Sequence, residues 1–280
     1  MTRPVALITG ASRGIGRAAA IHLARAGFDV AVTARTMVDG EGRGDQTGVP
    51  IPGGLDTTVA AIEAEGGAGE AIRMDVLDRQ SLLDGVQAAF DRFGQIDLLL
   101  NNAIYQGRGA MVPLLDLEDD DFKLMMEGNV HAQLTIIKAV LPSMISHGGG
   151  TVMNMISATA YYDPPGKIGE GGWGMGYAMT KSAFERVAPL LEVEHRDDGI
   201  RAFSVEPGHV PTEKSQAEAA ARGSDLGHTG KFRAATPDVI GAAIAWLATA
   251  SEDDVAEYRG KIVHLQREAK KRQLVDGWPA

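Results

Sequence analysis

The chain has 280 residues, no cysteine, 35 glycines and a formal net charge of -10. Without cysteine there is no disulfide framework, no cysteine–zinc site and no thiol nucleophile, and the acidic balance argues against a nucleic-acid partner, which needs a basic face. The N-terminus shows no signal-peptide pattern, and no apolar run approaches the roughly 20 residues that span a bilayer. We therefore expect a soluble, cytoplasmic protein with no membrane partner.

Short apolar runs alternate with helical patterns along the chain. The predicted strands cover residues 5–8, 30–33, 71–74, 96–100, 151–156, 201–205 and 261–265, and the predicted helices cover 15–26, 56–65, 79–93, 119–146, 177–196 and 237–249. Near-continuous apolar strands are typical of a parallel sheet covered by helices on both faces. The alternation predicts a single α/β domain over residues 1–280, a doubly wound parallel sheet of about seven strands.

Three stretches depart from this alternation. Residues 36–55 form a loop rich in Gly, Pro and Asp, and residues 158–176 form a second Gly/Pro-rich segment that carries several aromatic side chains. Residues 266–280 are predicted as a C-terminal tail, either a solvated extension or a basic arm that docks on a neighbouring acidic subunit. Loops of this length are usually functional or disordered.

A glycine-rich turn joins the first strand to the first helix. It reads Thr-Gly-Ala-Ser-Arg-Gly-Ile-Gly over residues 9–16. Its glycines, Gly10, Gly14 and Gly16, allow a tight turn and a close backbone approach, and the helix N-terminus presents free N–H groups to a phosphate. No Gly-Lys-Ser/Thr follows, so the pattern favours a dinucleotide site over a P-loop.

The end of the second strand bears on the choice of cofactor. NAD-binding proteins usually place Asp or Glu there for the ribose 2′-hydroxyl, but this chain has Arg35. Arg35, with Arg13 in the glycine turn, could pair with a 2′-phosphate through charge-assisted hydrogen bonds. We therefore expect NADP(H), with NAD(H) as the alternative if both arginines are solvated surface charges.

Tyr177 and Lys181 stand four residues apart and share a face of a predicted helix. A phenol with an ordinary pKa near 10 is a poor acid or base at neutral pH. A neighbouring ammonium lowers the pKa of a phenol. The pair could therefore pass a proton to or from a carbonyl or alcohol oxygen.

Seven ordered motifs make the chain resemble the short-chain dehydrogenase/reductase family over nearly its full length. They are the glycine turn at 9–16, Asp75-Val76, Asn101-Asn102-Ala103, Asn129, Ser157, the Tyr177/Lys181 pair, and Pro207-Gly208-His209-Val210-Pro211-Thr212. The resemblance implies a Rossmann-type fold and hydride transfer between a nicotinamide cofactor and a carbonyl or secondary alcohol.

The resemblance also implies a role for each motif residue. Tyr177 would be the general acid/base, Ser157 would hydrogen-bond the reacting oxygen, Lys181 would bind the nicotinamide ribose, and Asn129 would hold a water linked to Lys181. The expected cofactor contacts are Gly10, Ser12, Arg13, Gly14, Ile15, Gly16, Arg35, Asp75, Val76, Asn102, Ala103, Tyr177, Lys181, Pro207, Gly208, Val210 and Thr212.

Several of these residues have a structural alternative. Ser157 could satisfy backbone at a strand end, Asn129 could kink or cap its helix, and Asp75 could cap the following turn.

The chain departs from the family pattern around the expected substrate pocket. Ile104 replaces the glycine that usually follows Asn-Asn-Ala, and the interval from Ser157 to Tyr177 is longer than usual. We expect a largely apolar small-molecule substrate in a pocket lined by Tyr105, Tyr161, Trp173, Met175, His209 and the rest of the 209–233 segment.

Other functions receive less support from the residues. The seven histidines are scattered, so no metal site is expected, and no Gly-x-Ser-x-Gly motif appears. A non-catalytic nucleotide sensor on the same scaffold remains an alternative. By resemblance we also expect a homotetramer or homodimer, with contacts through 237–249 and 261–265.

Overall fold

The computed structural model describes residues 2–44, 47–223 and 234–279. The strands are β1 Val5–Thr9, β2 Asp29–Ala34, β3 Gly69–Arg73, β4 Leu98–Asn101, β5 Gly150–Met155, β6 Ile200–Glu206 and β7 Ile262–His264. They form a parallel sheet in the spatial order β3-β2-β1-β4-β5-β6-β7. The predicted doubly wound α/β sheet is confirmed.

Helices cover both faces of this sheet. They are α1 Gly14–Arg25, α2 Leu55–Ala64, α3 Arg79–Phe93, α4 Asp119–Met126, α5 Ala132–Ser146, α6 Met175–Glu185, α7 Val187–His195, α8 Glu213–Ala221, α9 Pro237–Thr249, α10 Glu252–Val255 and α11 Leu265–Arg272. Successive strand residues point to opposite faces, so Ile8 packs in one apolar core with α1 and α9, and Leu7 packs in a second with α3 and α5. This two-sided burial explains the continuous apolar strands.

The order of the strands places a crevice beside β1. From β1 the chain winds outward through β2 to β3, and it then returns to β4 on the other side of β1. In open α/β sheets, ligands bind outside the carboxyl ends of the strands at such a reversal. The turns that follow β1 and β4 therefore lie where a ligand is expected.

Two predicted helices are interrupted. The helix predicted over 119–146 consists of α4, a π-helical turn at Glu127–His131, and α5. The helix predicted over 177–196 begins earlier, at Met175, and divides into α6 and α7 at Arg186. The division has a local cause, because Pro189 has no N–H to donate to Glu185 four residues before it. The hydroxyl of Ser204 donates to that carbonyl instead, at 3.1 Å.

The predicted C-terminal tail is corrected by the structure. Residues 266–272 belong to α11, which packs against α9 with Leu265 and Ala269 fully buried. The guanidinium of Arg272 stacks over the ring of Trp246 at 3.8 Å. Apolar residues four apart form the buried face, and the basic residues Lys270, Lys271 and Arg272 occupy the last turn, where they complement the helix dipole. The basic composition of this segment concealed that apolar face.

None of the described helices has the length and apolar character needed to cross a membrane.

Candidate active site

A cavity of about 580 Å³ opens at the carboxyl ends of β1, β2, β4 and β5. Arg35 and Thr36 line it after β2, and Ser157, Tyr177 and Lys181 line it beyond β5. Most of the expected cofactor residues meet there: Gly10, Ser12, Arg13, Gly14, Ile15, Arg35, Val76, Asn102, Ala103, Tyr177, Lys181, Pro207, Gly208, Val210 and Thr212.

Three glycines shape the turn at one end of this cavity. Gly10 and Gly14 have φ angles of +70° and +57°, which side chains rarely adopt. A Cβ on Gly16 would collide with the carbonyl oxygen of Gly10, so Gly16 allows α1 to approach the turn closely. At these three positions the turn therefore presents backbone without side chains, which lets a phosphate approach closely.

The Asn-Asn-Ala motif holds this turn against the end of β4. Thr9 Oγ1 accepts hydrogen bonds from the backbone N–H groups of Asn102 and Ala103, both at 3.0 Å. Asn102 Nδ2 donates to the carbonyl oxygens of Thr9 and Gly10 at 2.9 and 3.1 Å. The side chain of Gln133 is fully buried and donates to the Ala103 carbonyl at 3.0 Å. Sequence reasoning missed Gln133, which lies in a helix with no motif around it.

The N-terminus of α1 already holds an anion. The Gly14 N–H donates to Glu213 Oε2 at 2.9 Å, and Glu213 is the first residue of α8. The free N–H groups and positive dipole end of a helix favour a negative charge there, whether carboxylate or phosphate. The donor set and the glycine-rich turn therefore fit the pyrophosphate of a dinucleotide.

The two arginines expected at a 2′-phosphate are used differently. Arg13 Nε donates to the Pro52 carbonyl and Arg13 Nη2 to the Gly53 carbonyl, both at 2.8 Å. Arg13 thus lines the cavity and also fastens the 36–55 loop to the glycine turn. Arg35 lines the cavity after β2, and its own carbonyl accepts from Arg73 at 3.0 Å.

Asp75 caps the turn that follows β3, which is the structural alternative that the sequence left open. Its carboxylate accepts from the backbone N–H of Leu77 at 3.0 Å, and its own N–H donates to Ser81 Oγ at 3.1 Å. The side chain shapes the turn before α3, while its neighbours Met74 and Val76 line the cavity.

The catalytic candidates come from two adjacent elements. Ser157 follows β5, and Tyr177 and Lys181 lie in the first two turns of α6. Gly174, which precedes α6, packs so closely on Ala110 that a Cβ would collide with the Ala110 carbonyl oxygen. This contact fixes the start of α6, and the helical spacing then brings Tyr177 and Lys181 to the same wall as Ser157.

Burial shifts both titratable groups on this wall. It lowers the pKa of Lys181 to about 7, and its ammonium donates to the Met155 carbonyl at 2.6 Å. The pKa of Tyr177 is raised, first by burial; a hydrogen bond with Ser157 acts in the opposite direction, and the charge of Glu206 adds to the rise. The sequence predicted that Lys181 would lower the pKa of Tyr177. That lowering is not found, because burial dominates the pKa of Tyr177 and also disfavours the charged form of Lys181.

Asn129 lies in the π-helical turn and binds the loop after β4. Its Oδ1 accepts from the Tyr105 N–H at 2.6 Å, and its Nδ2 donates to the Tyr105 carbonyl at 3.1 Å and to Thr180 Oγ1 at 3.3 Å. The side chain therefore connects the π-helical turn to the loop after β4 and to α6, and it positions the helix that carries Tyr177.

Comparisons with known proteins agree with this geometry. The sequence profile of the short chain dehydrogenase family matches residues 4–48 and 51–223. The chain belongs to the short-chain dehydrogenase family. It is 31% identical over 211 residues to a gluconate 5-dehydrogenase of Gluconobacter oxydans, which covers 75% of this chain and 73% of that one. It is also 31% identical over 225 residues to the oxidoreductase UcpA of Escherichia coli K12, covering 80% of this chain and 75% of the relative.

A solved structure supports the same assignment. The 3-oxoacyl-[acyl-carrier protein] reductase of Brucella melitensis, in complex with NAD, superposes with a TM-score of 0.76 at 25% identity and covers 95% of this chain and 96% of its own. This short-chain dehydrogenase is accordingly an NAD(P)-dependent oxidoreductase that acts on small molecules.

Five of the individual residues expected to line a substrate pocket are not on the cavity wall: Tyr105, Tyr161, Trp173, Met175 and His209. The ring of Tyr161 stacks against Tyr162, with centroids 4.6 Å apart, and Met175 begins α6 with 42% of its surface exposed. Residues 224–233 of the predicted 209–233 segment lie outside the described residues.

Part of the predicted 209–233 segment does reach the wall of this short-chain dehydrogenase, where the lining residues are Val210, Thr212, Lys214, Ser215, Glu218, Ala219 and Arg222. The wall also includes Ile104, Gln106, Ala110, Met111, Met155 and Ile156. A capping box between Thr212 and Ser215 marks the start of α8, with Ser215 in the place that Glu or Gln usually takes. Among the described residues, no cluster of His, Asp and Glu could hold a metal ion.

Proposed function

We propose that this enzyme transfers hydride between NADP(H) and the carbonyl or secondary alcohol of a largely apolar small molecule, with Tyr177 as the general acid/base. The observation that carries the proposal is the placement of Ser157, Tyr177 and Lys181 on one wall of a single cavity. The other end of that cavity is the N-terminus of α1, flanked by Arg35. One elongated ligand with a phosphate end and a reactive end fits this arrangement.

The proton chemistry follows from the three side chains. A bound nicotinamide supplies hydride to the carbonyl carbon in reduction and accepts it in oxidation. Tyr177 Oη donates its proton to the carbonyl oxygen as the C–H bond forms, and it takes the proton back in the reverse direction. Ser157 Oγ–H donates a hydrogen bond to the same oxygen and stabilises its developing negative charge. Lys181, half protonated near neutral pH, is suited to hold the cofactor ribose and to return a proton to Tyr177.

The preference for NADP(H) rests on Arg35 at the end of β2. No carboxylate replaces it at that point of the sequence, and its place on the cavity wall suits a 2′-phosphate. NAD(H) is the second candidate, because Arg13 already binds the Pro52 and Gly53 carbonyls and the Brucella reductase is in complex with NAD.

The substrate end supports an apolar ligand. Ile104, Ala110, Met111 and Ile156 line the same cavity as Ser157 and Tyr177, so an apolar substituent on the carbonyl carbon could be buried favourably against them.

We also propose a cytoplasmic homodimer or homotetramer. The predicted contact helix at 237–249 is α9, and most of it is buried within the subunit against α1 and α11. Met179, Leu190 and Val193 instead leave apolar surface exposed on α6 and α7, at 47%, 55% and 82%. Light scattering of the purified protein tests this assembly, and a monomer at micromolar concentration would contradict it.

The activity is tested by following NADPH oxidation with a panel of ketones and aldehydes, and NADP⁺ reduction with the matching alcohols. Turnover with at least one neutral apolar pair is expected. Cofactor binding without turnover across the whole panel would contradict the proposal and favour a nucleotide-sensing role.

A further inference from the structure

A buried carboxylate ends the strand next to the catalytic wall. Glu206 is the last residue of β6, is only 7% exposed, and stands in register with His264, the last residue of β7. Its Oε2 lies 3.3 Å from Nδ1 of His264. A carboxylate buried this deeply needs hydrogen bonds from its surroundings, and the proton transfer assigned to Tyr177 and Lys181 makes no use of it.

The other oxygen of Glu206 holds the loop that carries the Pro-Gly motif. The backbone N–H of Gly208 donates to Glu206 Oε1 at 2.7 Å. Gln266 supports the same loop, with Nε2 donating to the carbonyls of Pro207 and His209 at 2.9 and 3.2 Å. Because Pro207 and Gly208 line the cavity, the ends of β6 and β7 fix one wall of the cofactor site.

The charge of Glu206 also acts on Tyr177. It opposes formation of the phenolate and is one cause of the raised pKa of Tyr177, after burial. Tyr161 contacts the same nitrogen of His264, with its hydroxyl 3.5 Å from Nδ1, and its pKa is raised by burial and by Glu206. Tyr161 therefore stays neutral and offers a hydroxyl rather than a second negative charge.

The other charged groups near this cluster come from α6 and α11. Lys181 on α6 donates to the Met155 carbonyl, and Arg267 on α11 acts electrostatically on Tyr161. His264 contacts Glu206 directly through Nδ1, at 3.3 Å.

We propose that Glu206 is a positioning residue of this dehydrogenase: through Gly208 it fixes the loop that lines the cofactor site, and it places a buried negative charge at the end of the strand beside the catalytic wall. The inference rests on the proposed function of Tyr177, whose phenolate form that charge opposes. The loop contact and the charge are two separable properties of one side chain.

Glu206→Gln separates the loop contact from the charge, because the amide oxygen still accepts a hydrogen bond from the Gly208 N–H while the negative charge is lost. A lower Tyr177 pKa moves two limbs of the pH profile in the same direction: the acid limb of alcohol oxidation and the alkaline limb of carbonyl reduction. We expect both to move to lower pH by about half a unit, with the cofactor KM within about twofold of the wild type. Limbs that stay in place or move to higher pH overturn the proposal.

Glu206→Ala removes both properties. We expect the same shift of the pH profile, together with a roughly fivefold rise in the cofactor KM because Gly208 loses its acceptor. An unchanged KM in this variant overturns the loop contact. Glu194→Gln, an exposed change on α7, is the matched control and should alter neither readout.

A direct titration distinguishes failure of this inference from failure of the proposed function. The chain has 5 tyrosines, so ¹³Cζ-tyrosine NMR with NADP⁺ present can follow Tyr177, assigned by loss of its signal in Tyr177→Phe. A lower apparent pKa in Glu206→Gln supports the inference even if no substrate is turned over. An unchanged pKa overturns it even if the enzyme is active.

Discussion

The two ends of the cavity are assembled in different ways. At the catalytic end, Ser157, Tyr177 and Lys181 come from a strand end and from one helix, and helical spacing alone places the last two together. At the phosphate end, the glycine turn is completed from far along the chain. Gly14 meets Glu213 across 199 residues, and Arg13 reaches the 36–55 loop across about 40 residues.

In the proposed mechanism the two ends have different tasks. The proposed proton-transfer residues come from neighbouring elements of the chain. The other end carries an internal carboxylate on the N–H donor of Gly14, so a dinucleotide bound as proposed would compete with Glu213 for that donor. Changes at the catalytic end should therefore alter rates, and changes at the phosphate end should alter cofactor affinity.

The largest effect is expected for Tyr177→Phe. The variant keeps the ring but loses the proton that the carbonyl oxygen needs, and we expect turnover to fall about 10³-fold. Steady-state NADPH oxidation measures the loss. Tyr162→Phe, at a half-exposed tyrosine, is the control and should retain wild-type turnover. A Tyr177→Phe enzyme with more than a tenth of the wild-type rate would refute the assigned role.

Lys181→Met should reveal the energetic cost of the buried amine. Its pKa is about 7 in the folded protein and 10.5 in the unfolded chain, so between these values the unfolded chain binds more protons and wild-type stability rises with pH. The substitution changes packing as well as charge, so the quantity to follow is how the difference in unfolding free energy between wild type and variant depends on pH.

From pH 7 to pH 9 that difference should move by about 2 kcal/mol in favour of the wild type. Urea unfolding at the two pH values measures it, and Lys138→Met, an exposed change on α5, should show no such trend. A difference that is independent of pH would mean that Lys181 is charged in the fold as it is in water.

Arg35→Ala tests the charge at the end of β2. Loss of a charge-assisted contact to a 2′-phosphate should weaken NADPH binding about tenfold and leave NADH binding nearly unchanged. Fluorescence titration gives both dissociation constants. Arg92→Ala on α3, where the side chain pairs with Glu70 at the surface, should change neither. Equal weakening of both cofactors would argue against NADP(H) selectivity by Arg35.

The smallest effect is expected for Glu213→Gln. The neutral amide still accepts from Gly14 but competes less well than a carboxylate at a helix N-terminus, so NADPH should bind about threefold more tightly. Isothermal titration calorimetry detects this, with Glu63→Gln on the exposed face of α2 as the control. Weaker binding in the Glu213 variant would show that this carboxylate assists the cofactor instead of competing with it.

The sequence was most informative where neighbours along the chain act together. The period of the apolar residues predicted the parallel sheet, and the order of the motifs predicted the family. The helical spacing of Tyr177 and Lys181 placed both on one wall. Contacts between distant segments left no local pattern, so neither the hydrogen bond of Glu213 to Gly14 nor the anchoring of the long loop by Arg13 could be foreseen.

Two further errors have physical causes. The basic residues of α11 hid the buried pair Leu265 and Ala269, so a packed helix was predicted as a tail. Burial outweighed the ammonium of Lys181 in setting the pKa of Tyr177. The spacing of two residues in the sequence does not show how deeply their helix is buried.

A double-mutant cycle of Tyr177→Phe and Arg35→Ala tests the separation of the two ends most directly. Single-turnover rates at saturating NADPH and dissociation constants for NADPH are measured for all four proteins. We predict that Tyr177→Phe lowers only the rate, that Arg35→Ala weakens only binding, and that the double variant shows both losses added in free energy. A tenfold loss of saturated rate in Arg35→Ala, or of NADPH affinity in Tyr177→Phe, would contradict the account.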